Sequence, residues 1–110
     1  MVFLDDVTEF NGPLFLVPKS HKLGCINQET ESPTGGWNQD VSAELTYQVE
    51  TDLVEKLIRE HGVVSTKGPK GTAPWFHGNI IHASPSNISP FARRVAIITY
   101  NGISNKPLVG

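Results

Sequence analysis

The sequence predicts a mainly β fold carrying one α-helix. Three observations lead there. Proline and glycine, 8 and 10 of the 110 residues, cut the chain into short pieces. The apolar residues inside those pieces form short runs or alternate, as strands do. A single segment, "DLVEKLIREH", repeats its apolar residues at helical spacing.

Taken in order, "VFL" (2–4) is a strand stub ending at Asp5-Asp6. "PLFLV" (13–17) is a compact apolar strand between the Asn11-Gly12 turn and Pro18. The polar stretch from His21 to Ser42, with Pro33, Gly35 and Gly36, reads as a long loop of the kind that covers functional sites. The helix follows, with Thr51 as its expected cap, Leu53, Val54, Leu57 and Ile58 on one face, and Gly62 as the left-handed stop. Asp52 with Lys56 and Glu55 with Arg59 are favourable pairs one turn apart. Further strands are expected at 63–66, 73–77 and 92–100. Along the last, Arg93, Val95, Ile97 and Thr99 share one face, and Arg94, Ala96, Ile98 and Tyr100 share the other.

The composition narrows the function classes. A chain of 110 residues makes one domain at most. With 9 basic and 11 acidic side chains well mixed and a net charge of -2, it has no electrostatic footprint for nucleic acid. No apolar run approaches membrane-spanning length, and "MVFLDDVTEF" lacks the basic start and long apolar stretch of a signal peptide. The single cysteine, Cys25, fits a reducing compartment, so a cytoplasmic protein is expected. "GPKGT" fails as a phosphate loop because its lysine precedes the second glycine. Nothing local activates Cys25 as a nucleophile.

The chemistry concentrates in "FHGNIIHASPSNISPFARRVAIITYN" (76–101). His82 closes an apolar run, and after ten intervening residues two arginines open a strand. Read from the residues, His82 is either a hydrogen-bonded core histidine or a metal ligand. Arg93 faces inward by strand alternation, and a buried guanidinium must be paired, ideally with a carboxylate in two-point contact. A metal ligand and a carboxylate clamp on neighbouring strands are what a metal-chelating keto acid requires.

Three blocks in order, "FLDDVTEFNGPLFLVPKSHKLG", "EHGVVSTKGPKGTAPWFHGNIIHASPSNISPF" and "ARRVAIITYN", resemble the phytanoyl-CoA dioxygenase family, and within it the ectoine hydroxylase-like branch. They cover nearly the whole chain, with 25–48 the weakest match. The resemblance implies an iron(II)- and 2-oxoglutarate-dependent oxygenase built on a double-stranded β-helix, a jelly-roll or cupin-like barrel of about eight core strands. About five strands can be read here, so the barrel is expected to be partial. The sequence starts within a strand, as if it were the C-terminal portion of a longer reading frame. Open strand edges are then expected to self-associate.

Position by position, the resemblance makes His82 the distal iron ligand. Arg93, eleven residues on, becomes the arginine that holds the far carboxylate of 2-oxoglutarate. Ser84 stands where a small hydroxyl assists that carboxylate. Phe76 and Trp75 fall where an aromatic lines the substrate pocket, with barrel core as their plainer role. Arg94 is expected outward, His21 and His77 structural, and the 25–48 stretch with Trp37 a cover that selects the small-molecule substrate. Ile97 occupies a pocket-facing position where the ectoine branch carries an aromatic, which tells against ectoine itself.

One departure is plain. The family's iron site also needs an H-x-D or H-x-E pair, and the residues two places after the four histidines are Leu23, Val63, Asn79 and Ser84. No catalytic residue is therefore assigned, and the chain alone is expected to be inactive. The alternative expectation is a non-catalytic cupin-like β module that binds a partner or a small acid.

Overall fold

The computed structural model describes residues 1–26 and 49–105. They form β1 (Val2–Phe3), β2 (Leu14–Leu16), a 3-10 turn (Ser20–Leu23), α1 (Thr51–His61), β3 (Val64–Thr66), β4 (His82–Ala83) and β5 (Val95–Ala96). The class is mainly β with one helix, and both sheets are open. No helix among these residues is long and apolar enough to cross a membrane. The chain divides into two compact units.

The first unit comprises Met1–Pro13, Thr66–Trp75 and Pro85–Gly110. Here β1 pairs antiparallel with β5, Val2 opposite Ala96 and Phe3 opposite Val95. On its other side the Phe3 amide donates to the Thr72 carbonyl, and the Gly71 amide donates to the Phe3 carbonyl, both at 2.9 Å. Val7 exchanges two further backbone bonds with Gly68 at 2.8 and 3.0 Å. With the backbone satisfied on both sides, the Phe3 and Val7 side chains make a small core and are 1% and 3% exposed.

The second unit comprises Leu14–Ser65 and Phe76–Ser84. Its sheet has the order β3-β2-β4. Between β2 and β4 the register sets Phe15 opposite Ala83 and Leu16 opposite His82. Directly opposed residues share a face, so the pleat places Leu16 and His82 on one side and Phe15 and Ala83 on the other. A cleft of about 380 Å³ is lined by Val54 and Ile58 of α1 and by Phe15, Val17 and Ile81. Leu57 is the buried residue of the helix.

Helix α1 matches its expected span, and the Gly62 amide at φ 74 closes it onto the Ile58 carbonyl at 2.8 Å. The expected cap shifts by one residue. Thr51 is already helical, and Glu50, in extended conformation, takes the cap position without a side-chain bond. The Glu55–Arg59 pair forms at 2.7 Å.

The strands differ more. Residues 73–77 form no strand, and the expected strand at 92–100 is reduced to Val95–Ala96. Ladder hydrogen bonds need a partner, and β1 is two residues long with its first residue, Val2, opposite Ala96, so residues 97–100 have no strand beside them among the described residues. In turn, the stretch around His82 forms β4 because β2 supplies its partner. The expected loop at 21–42 opens with the 3-10 turn, and its residues from 27 onward lie outside the described residues, as does Trp37.

Candidate functional site

His82 owes its place to a short stretch of backbone held through both backbone groups of Ile81. The Val17 amide donates to the Ile81 carbonyl at 2.9 Å. The Ile81 amide donates to Ser20 Oγ at 2.8 Å, and that hydroxyl donates in turn to the Val17 carbonyl at 2.8 Å. Pro18 has no amide to continue the ladder, and Lys19 turns the chain through the left-handed region at φ 64. The Ser20 hydroxyl thus stands in for the next residue of β2. It is fully buried, at 0% exposure.

The imidazole that follows is exposed, and its tautomer is set locally. His82 Nδ1 lies 2.8 Å from the Ile80 carbonyl. A carbonyl can only accept, so Nδ1 is the donor, and in the neutral imidazole Nε2 is then the nitrogen with the lone pair. This is the arrangement of a ligating histidine whose second nitrogen is tied to the backbone. The half-buried Phe76 ring stands 6.3 Å from the imidazole, tilted by 42°. His21 and His77 stack on each other at 5.4 Å, and His77 Nδ1 accepts from the Asn79 amide at 3.0 Å.

In the first unit the two arginines differ. Arg94 projects into solvent and grips Asp5 with Nε at 2.9 Å and Nη2 at 2.7 Å, while its amide donates to the same carboxylate at 2.8 Å. Those side-chain bonds first, and the backbone bond next, lower the Asp5 pKa from 3.8 to about 2. With the Leu4 amide bonded to the Arg94 carbonyl at 2.9 Å, Asp5 pins the start of β5 to the end of β1. Arg93, the next residue back, is half-buried. Its Nε lies 3.7 Å from the position a Cβ at Gly12 would take.

The residues singled out from the sequence are thus divided. The second unit holds His82, Phe76 and Ser84, and brings the first two together. Trp75 and Arg93 belong to the first unit. Trp75 is 77% exposed and stacks on Tyr100, itself 70% exposed, at 5.7 Å. Ile97 is exposed as well. Among the described residues no three His, Cys, Asp or Glu side chains converge as a metal would require, so His82 stands as a single donor. Two residues of consequence escaped the sequence reading: Ser20, whose signal was a serine just after the Pro18 turn, and Gly12, visible as the glycine of Asn11-Gly12.

The family model for phytanoyl-CoA dioxygenase (PhyH) matches residues 1–95. The chain is 42% identical over 110 residues to L-proline trans-4-hydroxylase from Streptomyces griseoviridis, covering 96% of this chain and 41% of that protein. It is 33% identical over 107 residues to ectoine dioxygenase from Sphingopyxis alaskensis, covering 96% and 34%. Against ectoine dioxygenase from Bordetella parapertussis the identity is 36% over 107 residues, covering 94% and 33%. The chain spans between a third and about two-fifths of the length of these relatives. With a family match over most of its length, the chain belongs to the phytanoyl-CoA dioxygenase (PhyH) family.

Proposed function

We propose that this chain is the C-terminal portion of an iron(II)- and 2-oxoglutarate-dependent hydroxylase, and that its two sheets are parts of a double-stranded β-helix. In this reading His82 is an iron ligand and Arg93 holds the far carboxylate of 2-oxoglutarate, assisted by Ser84. Phe76 and Trp75 contribute to the substrate pocket. The observation that carries the reading is the His82 hydrogen bond: Nδ1 donates to the Ile80 carbonyl, which in the neutral ring leaves Nε2 as the nitrogen able to ligate, on an exposed strand. Bound with further ligands from other polypeptide, iron(II) with 2-oxoglutarate would supply the oxidation, one oxygen atom of O2 going into a substrate C–H bond and the other into the succinate formed as 2-oxoglutarate loses CO2.

A small-molecule substrate is supported by the relatives, and the 42% identity to a proline hydroxylase favours a free imino acid over ectoine. The lone Cys25 fits a cytoplasmic setting. One imidazole cannot hold iron(II) against water and buffer, so the chain alone is inactive in this account and the remaining ligands come from other polypeptide. The open sheets and the exposed Trp75–Tyr100 stack support self-association of the chain.

The experiment compares Arg93→Ala with Arg94→Ala in a longer polypeptide that carries the H-x-D pair. Loss of a two-point charged contact costs about 2–5 kcal/mol, so Arg93→Ala weakens 2-oxoglutarate binding by at least an order of magnitude. Arg94→Ala does so far less. Equal weakening refutes the assignment. A second reading, a non-catalytic β module of the same descent, is favoured by one observation: no histidine of this chain is followed two places on by an acid. Binding of a small dicarboxylate without iron dependence, in that same longer polypeptide, supports it.

A further inference from the structure

We propose that Gly12 is a positioning residue for Arg93. It acts by leaving room for the Pro85–Asn87 segment to pack where any side chain would push it away. Gly12 is buried and sits at φ +79, in the left-handed region. A Cβ there would meet the Pro85 carbonyl oxygen at 2.8 Å, the Asn87 amide at 3.5 Å and Arg93 Nε at 3.7 Å. The first distance is below what real Cβ atoms tolerate, and the obstacle is backbone, which cannot swing aside as a side-chain tip can.

The segments on either side are held rigidly. Asn11 is buried, accepts from the Thr8 amide at 2.9 Å and donates to the Asp6 carbonyl at 2.8 Å. The Ile88 amide donates to the Phe10 carbonyl at 3.0 Å, tying the 85–88 segment to the one that contains Gly12. Asn87 ties that segment forward by donating to the Phe91 carbonyl, two residues before Arg93. A methyl group at position 12 therefore displaces a braced turn, and Arg93 Nε beside it moves with that turn. Arg94 is insulated, because Asp5 holds both its side chain and its amide. The role of Gly12 in cosubstrate binding rests on the reading of Arg93 given above; its role in placing the Arg93 guanidinium does not.

The test is NMR of the Nε–H signals of Arg59, Arg93 and Arg94 in the 110-residue chain, for wild type, Gly12→Ala and Gly12→Asn. Asparagine tolerates the left-handed backbone but carries the same Cβ, so it isolates the clash if alanine prevents folding. The expected result is an ordered, shifted Arg93 signal in wild type that in the variants collapses toward the position of arginine in the urea-unfolded chain, with Arg94 unmoved. An Arg93 signal unchanged in a folded variant overturns the proposal. So does loss of the Arg94 signal together with Arg93 in both variants, since Gly12 would then serve folding at large. Titration with 2-oxoglutarate separates the two claims. If Arg93 responds to Gly12 substitution while 2-oxoglutarate shifts no signal even in a polypeptide with the H-x-D pair, the clamp reading fails and the positioning role stands.

Discussion

Replacing Ser20 with alanine removes one oxygen atom and leaves the volume nearly unchanged, so it isolates the hydroxyl that seats the strand carrying His82. Two bonds of 2.8 Å disappear, one accepted from the Ile81 amide and one donated to the Val17 carbonyl. The Val17 carbonyl keeps a bond from the Ser20 amide at 3.3 Å, so its loss is small. The Ile81 amide loses its partner at a part-buried site. Stranding a buried donor costs about 1–3 kcal/mol, and the donated bond adds roughly 0.5–1, so the expected destabilisation is about 2–3 kcal/mol. For a domain of this size that lowers Tm by on the order of 10 °C. Urea unfolding followed by circular dichroism measures it, with an unchanged dependence on denaturant showing that the unfolded state is unaffected. Hydrogen exchange supplies the local readout: the Ile81 and His82 amides should lose protection before those of β1. A variant within about 0.5 kcal/mol of wild type, with Ile81 still protected, refutes the assigned role of Ser20.

Three other outcomes are expected. Because the folded pKa of Asp5 lies below its unfolded value, its contribution to stability is complete above about pH 4 and is lost as pH falls toward 2. Tm of wild type should therefore drop more steeply than that of Asp5→Asn across that window, and parallel curves would contradict the Asp5–Arg94 lock. Lys19→Gly relieves a left-handed non-glycine residue at φ 64 and should gain about 0.5–1 kcal/mol after the entropy cost of glycine, measured by urea unfolding. In size-exclusion chromatography with light scattering, the chain should run above its monomer mass of 12.0 kDa, and Trp75→Ser with Tyr100→Ser should shift it toward monomer.

What could be read from the sequence were features whose causes are local. The helix followed from the spacing of Leu53, Val54 and Leu57 and from the stop at Gly62. The strand around Phe15 followed from an apolar run between turn residues. Strand lengths were not legible, because a ladder is set by its partner. Val95–Ala96 is as long as β1 permits, and residues 97–100 extend beyond it. Nor was Ser20 legible as a strand substitute, since the amide it receives lies 61 residues away. The same holds for Asp5, whose partner Arg94 is 89 residues on. His82 was legible as a candidate ligand, but its tautomer depends on the Ile80 carbonyl and required the structure.

The most direct test is oxygen uptake coupled to succinate formation, with iron(II), 2-oxoglutarate and L-proline supplied. It is run on the 110-residue chain and on a longer polypeptide that adds the H-x-D pair. The account predicts no turnover by the chain alone, turnover by the longer polypeptide, and its loss in His82→Ala of that polypeptide. Succinate formed by the 110-residue chain alone, or turnover that survives His82→Ala, would contradict it.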